Sequence, residues 1–224
     1  MERTRISLCH LDEWDAETIY LGYRLVYTWF PSRHRSIEVI RGGCGGNSMM
    51  KLDSYAEKAR SLDVSKAEIV DTRNVVVENW VRLKCQYGCG LYGECLTCPP
   101  YSPTPDYTGK MIGEYSKGLL MQIENITLID RPRPGPRLRK IVADLEREIF
   151  LDGYYKAFGM ASGPCRFCKT CDTNEPCKHP YKARPSMEAC GIDVYQTARN
   201  CGFELEVVRT EDCPYSYVAL ILIE

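Results

Sequence analysis

From Lys51 onward, apolar residues recur along the chain at two different periods. In KLDSYAEKARSLD, Leu52, Tyr55, Ala56 and Ala59 share one face at helical spacing, which predicts an amphipathic helix. AEIVDT and then NVVVENWVRL predict strand-rich structure leading into a cysteine-rich loop. Thr104-Pro105-Asp106 combines a cap, a first-turn proline and an N-terminal carboxylate, so a helix is expected through Tyr115, stopping near Gly118. GLLMQIENITLI predicts the next strand. From about Pro136, Leu138, Ile141, Val142, Leu145 and Ile149 form an apolar helical stripe. Ser186 predicts the start of another helix ending at Gly202, and ELEVV and YVALILIE predict two closing strands. The unbroken apolar run of the last one marks a central strand covered on both faces. Helices returning between strands predict an α/β or α+β sandwich, a mixed sheet packed with helices, with the cysteine-rich loops clustered at one end. Both loops interrupt helix–strand connections, and closure cost grows slowly with loop length, so they can meet in space.

Composition narrows the function. At 224 residues and 44% hydrophobic content, the chain can bury one good core, or one core with a small cysteine-bound lobe. A net charge of −1 argues against an electrostatic nucleic-acid binder. No apolar run reaches membrane-spanning length. Thirteen cysteines with no apolar export segment at the start imply a reducing compartment, the cytoplasm. Residues 1–48 contain two of the three Trp and two of the three His, without clear period or caps. One expectation makes them an extension that adds Cys9 or Cys44 as ligands. The preferred one starts translation at Met49 or Met50, because a metal-binding domain over 51–224 needs nothing upstream.

The chemistry lies in the cysteines. Cys85, Cys89, Cys95 and Cys98 form one group and Cys165, Cys168, Cys171 and Cys177 a second, with Cys190 trailing. Thiolates at two-residue intervals bring several sulfurs to one centre, and Cys165-x2-Cys168-x2-Cys171 is the spacing by which bacterial-type ferredoxins wrap a 4Fe-4S cube. The fourth cysteine is displaced, since Cys177 follows after five residues and precedes Lys178-His179-Pro180. A disulfide scaffold fits poorly with an odd cysteine count. Structural zinc is the competitor, but three consecutive thiolates suit a cube better than the two separated pairs of a zinc ribbon. The first group is less diagnostic. Gly88, Gly90 and Gly93 let its backbone fold tightly around a centre, and Pro99-Pro100 stop the loop. Its spacing is not that of radical enzymes using S-adenosylmethionine.

The segments RLKCQYGCGLYGECLTCPPYSPTPDYT and GPCRFCKTCDTNEPCKHPYKARPSMEACGIDVYQTARNCGF resemble the two signature blocks of a bacterial and archaeal family, the predicted metal-binding proteins of domain of unknown function 2284. The resemblance runs from about Lys51 to the C-terminus. It implies a cytoplasmic metal or iron–sulfur protein, common in anaerobes and without an assigned reaction. It carries over Cys85, Cys89 and Cys98 from the first block and Cys165, Cys168, Cys171, Cys177 and Cys190 from the second; Cys95 lies outside the pattern.

Cys165, Cys168, Cys171 and Cys177 are thus expected to hold one 4Fe-4S cluster. Cys85, Cys89 and Cys98, with Cys95 or Cys190, are expected to hold another. Cys95 is favoured for closure because of its proximity to Cys98. Cys190, expected in the first turn of the Ser186 helix, would have its thiol pKa lowered by the helix dipole; otherwise it is a core thiol. His179 is expected to hydrogen-bond sulfur or face solvent rather than ligate. Arg131, Arg133, Arg137, Arg139 and Lys140 read as a solvated surface, or as a docking patch for an acidic redox partner. Tyr87, Tyr92 and Tyr101 could shield a cluster from water. The resulting expectation is electron transfer, or a redox component of an anaerobic enzyme system, with a redox protein partner. The alternatives are an enzyme with an open iron site and a zinc-stabilised interaction module.

Overall fold

A computed structural model describes residues 48–127 and 134–224, with side chains from Lys51. Cys9, Cys44, Arg131 and Arg133 lie outside the described residues. Helix α1, Ser48–Ser61, buries the expected face of Leu52, Tyr55, Ala56 and Ala59. The antiparallel strands β1 (Lys66–Asp71) and β2 (Lys117–Ile126) pair next to each other in the sheet. Asp71 caps the short 3-10 turn that follows β1, accepting from the Arg73 N–H.

NVVVENWVRL departs from its expected strand. Only Val77 makes a bridge, to Ile192, and helix α2 (Asn79–Gly88) begins two residues later. The β-branched run stops at Val77, and Leu83, Lys84 and Gln86 are good helix formers. Helix α3, Pro105–Ile112, starts as expected, with Thr104 Oγ1 accepting from the Tyr107 N–H. It ends earlier than expected because the Glu114 and Tyr115 N–H groups turn in to Met111 O and Ile112 O, three residues back, and β2 opens at Lys117. Helix α4, Pro134–Leu151, carries the predicted stripe, with Leu138, Ile141, Val142, Leu145 and Ile149 all buried.

Strand β3 is short, Phe158–Met160, and β4 runs Tyr215–Leu222. The sheet order is β1-β2-β4-β3 with every pair antiparallel, so the fold is α+β and the expected mixed sheet is antiparallel. β4 is interior, as its apolar run requires. Ala219 and Ile221 enter the core beneath α1 and α4, while Val218, Leu220 and Leu222 enter a second core on the opposite face. The predicted Ser186–Gly202 helix is broken into a 3-10 turn, Glu188–Cys190, and a separate helix α5, Val194–Asn200. Gly191 breaks it. Its φ is 85°, and a Cβ there would stand 2.7 Å from the Pro105 ring, so only glycine fits where the turn packs on α3. Asp193 then caps α5 at the Gln196 N–H. ELEVV is irregular rather than a strand; Val207 and Val208 are exposed, and Glu204 O accepts from Gln122 Nε2 at 2.7 Å. No helix among the described residues is long and apolar enough to cross a membrane.

Candidate functional site

The first cysteine loop grows out of α2, which carries Cys85 and ends with Cys89 as its cap. Gly93 turns the chain at φ 81°, and its N–H donates to Pro99 O at 2.8 Å. The Cys98 N–H donates to Cys95 O, and the Tyr101 and Ser102 N–H groups donate to Cys98 O. The loop therefore closes on itself. Arg82 ties it to the 3-10 turn: Nη1 donates to Ser102 Oγ at 3.0 Å and to Ala189 O at 2.7 Å, and Ser102 Oγ donates to Ala189 O at 2.6 Å. Cys85 Sγ lies 4.0 Å from Glu188 O in the same turn.

The second loop is an excursion between β3 and that turn. Its two feet are held together where the Ala161 N–H donates to Pro185 O at 2.8 Å and the Met187 N–H donates to Ala161 O at 3.0 Å. Arg184 anchors its exit on α4, donating from Nε and Nη2 to the Glu146 carboxylate at 2.6 and 2.5 Å. The sulfurs are partly satisfied by backbone: the His179 N–H donates to Cys177 Sγ at 3.4 Å, and the Phe167 N–H hydrogen-bonds Cys165.

Two cavities open between these loops. The larger, about 380 Å³, is lined by Cys85, Cys89 and Cys98 together with Trp80, Tyr92 and Glu188. The smaller, about 140 Å³, is lined by Cys95, Cys165, Cys168, Cys171 and Cys177 with His179. Cys95 and Cys98 are hydrogen-bonded to each other, yet they open into different cavities, and Cys95 feels the thiols of Cys171 and Cys165. The smaller cavity is thus built from both loops.

Burial pushes four of these thiols up. Cys98 rises to about 12, first by burial and then by the neighbouring Cys95, Cys89 and Cys85. Cys85, Cys95 and Cys165 also rise, each chiefly by burial. Crowded, half-buried thiols that hold their protons are a poor arrangement for a bare protein and a suitable one for a metal, since a coordinating thiol gives up its proton to the ion. The described cysteines are all free thiols, and the donor set fits a thiolate-bound metal or cluster. Among the described residues no three His, Cys, Asp or Glu side chains converge to the spacing of a single ion; the thiols ring the cavities instead.

Cys190 is fully buried in the second core, close to Cys85, and lines neither cavity. The expected lowering of its pKa is reversed. It sits in a three-residue 3-10 turn rather than a helix, and burial pushes it up to about 12. The His179 ring packs 5.8 Å from Phe167. Of the basic stretch, Arg137 pairs with Asp63, Lys140 pairs with Asp144, and buried Arg139 donates to Ser162 O beside Cys165. Tyr92 lines the larger cavity, while Tyr87 and Tyr101 are exposed. Arg82, Glu188 and the Glu146–Arg184 pair escaped sequence reasoning. Glu188, two residues before Cys190, was the one with a positional signal.

A family model described as predicted metal-binding protein, domain of unknown function 2284, matches residues 68–223. No match was found among curated proteins or among solved structures.

Proposed function

The chain belongs to this family of predicted metal-binding proteins, and from that premise we propose that it is an iron–sulfur protein with two dissimilar cluster sites. Cys165, Cys168, Cys171 and Cys177 hold one 4Fe-4S cluster by their own spacing, with Cys95 beside them. Cys85, Cys89 and Cys98, which line the larger cavity, would hold the second through three thiolates and leave one iron without a protein thiolate. The observation that carries this reading is the parting of neighbours: Cys98 lines the larger cavity while Cys95 lines the smaller. An open iron supplies Lewis-acid chemistry to a bound substrate, so the first site does the work of an enzyme and the second relays electrons. A tetrahedral zinc would need sulfurs about 3.8 Å apart, from Zn–S bonds of about 2.3 Å. The run Cys165-x2-Cys168-x2-Cys171 suits the corners of a cube better than that geometry. The protein works in the cytoplasm with a redox protein as electron partner, because 13 thiols call for a reducing compartment.

Anaerobically purified protein should carry about eight irons and eight sulfides, the content of two cubes. Cyanide or added thiol should change the spectrum of one cluster in the parent and equally in Cys95→Ser. Stoichiometric zinc without sulfide would overturn the cluster reading. A parent spectrum indifferent to added ligand would return the protein to the role of electron carrier.

A further inference from the structure

We propose, resting on the open position argued above, that the larger cavity binds a neutral, flat organic molecule carrying an amide or hydroxyl group. Its volume of about 380 Å³ is shared by the cluster and the organic ligand. That volume lies within the range of about 300–1,000 Å³ typical of small-molecule sites. The wall is mainly apolar and comes from separate parts of the chain: Val81 of α2, Ile192 and Val194 at the start of α5, Leu205 beyond it, and Val218 of β4. Trp80, Tyr92 and Tyr195 add three aromatic faces, which favour a planar occupant. Trp80 is 44% exposed, a large apolar side chain left in water that an occupant would cover.

The polar handle is Glu188. The residue lines the cavity, and its Oε2 is buried with no hydrogen-bond partner, while Ser186 and the residue's own N–H serve the carboxyl otherwise. An unpaired buried oxygen is costly, and a ligand group relieves that cost. An amide or hydroxyl both gives and takes a hydrogen bond, so it pairs with the carboxyl in either protonation state. Three cysteines and two acidic residues, Glu188 and Asp193, line the cavity and disfavour an anion, because Lys84 is the one cation among the lining residues and is itself exposed. The mainly apolar wall penalises a charge of either sign, so the occupant is neutral. It is apolar over most of its surface and polar at the end that meets Glu188.

The test uses the full chain, purified anaerobically, with iron and sulfide counted first, so that failure of the cluster reading is recorded separately from failure to bind. Three probes that share a phenyl ring, 2-phenylacetamide, ethylbenzene and phenylacetate, are then titrated by calorimetry and saturation-transfer NMR. The amide should bind about tenfold more tightly than either of the others, the effect of one good hydrogen bond. Val194→Phe and Leu205→Phe each fill the cavity and should abolish binding of all three. The second lies outside regular structure and guards against a folding defect in the first. Glu188→Leu should leave ethylbenzene binding in place and erase the preference for the amide. No amide binding to protein with full iron content overturns the proposal. Equal affinity for the three probes, or binding that survives both filling variants in folded protein, does the same.

Discussion

Arg184→Ala should destabilise the fold through a charge left stranded in the core. Arg184 is 9% exposed and Glu146 4%. Two guanidinium nitrogens donate to the two carboxylate oxygens, the third donates to Pro180 O at 3.1 Å and Ala183 O at 2.8 Å, and the Gly159 N–H donates to Glu146 Oε2 at 2.8 Å. Truncating the arginine leaves the carboxylate buried with one identified donor and releases two loop carbonyls. Removing one partner of a buried pair costs about 3–5 kcal/mol, against a total stability of about 5–15 kcal/mol. At about 2–4 °C per kcal/mol for a unit of this size, Tm should fall by roughly 6–20 °C. The exposed pair Lys140–Asp144 on α4 is the control, and Lys140→Ala should cost about 0.5 kcal/mol or less. Urea unfolding followed by circular dichroism, with iron counted in the same samples, measures both. The double variant Glu146→Met with Arg184→Met should recover most of the loss, because an apolar pair of similar volume needs no charge partner. An Arg184→Ala midpoint no lower than that of Lys140→Ala would refute the reasoning.

Cys168→Ser should lose the iron of one site and lower thermal stability, because metal-binding free energy is folding free energy. Cys201→Ser, at the C-cap of α5 and lining neither cavity, should keep both iron and stability; equal iron in the two variants would sink the ligand assignment. In metal-free reduced protein at pH 8, Cys98 and Cys190, both held up to about 12 by burial, should alkylate slowly with iodoacetamide. Cys213, pushed down by its hydrogen bond with Thr210, should react first, as peptide mass spectrometry will show. The same shifts set a pH dependence. Thiols that ionise near 9.0 when unfolded but near 12 when folded stabilise the metal-free fold fully below pH 9. That contribution is lost as pH rises from 9 toward 12, so the urea midpoint should decline across that window, and a flat midpoint would contradict it.

Elements whose reasons are local were legible in the chain. The buried face of α1, the stripe of α4, the Thr104-Pro105 start of α3 and the apolar run of β4 each follow from period or capping within a dozen residues. The thiol-rich loops were legible for the same reason, because ligand spacing is written in consecutive residues. The strand-rich reading of NVVVENWVRL fails over residues 79–83, and the reading of Ser186–Gly202 as one helix fails at Gly191. The first folds as helix where Arg82 reaches the turn at Ala189, and the second breaks where Gly191 meets Pro105. Both depend on partners far along the chain.

The sequence by itself determined that cysteines gather in two loops and that the chain belongs to a family of predicted metal-binding proteins. Only the tertiary structure decided how the thiols are shared. Cys95 and Cys98 stand in one short loop, and local spacing gives no sign that they part. Cys98 lines the larger cavity and Cys95 the smaller, where the second loop approaches it with its exit held on α4 by Arg184 and Glu146, 38 residues apart. Side-chain direction within an irregular loop depends on what packs against it from elsewhere in the chain, and no periodicity records that.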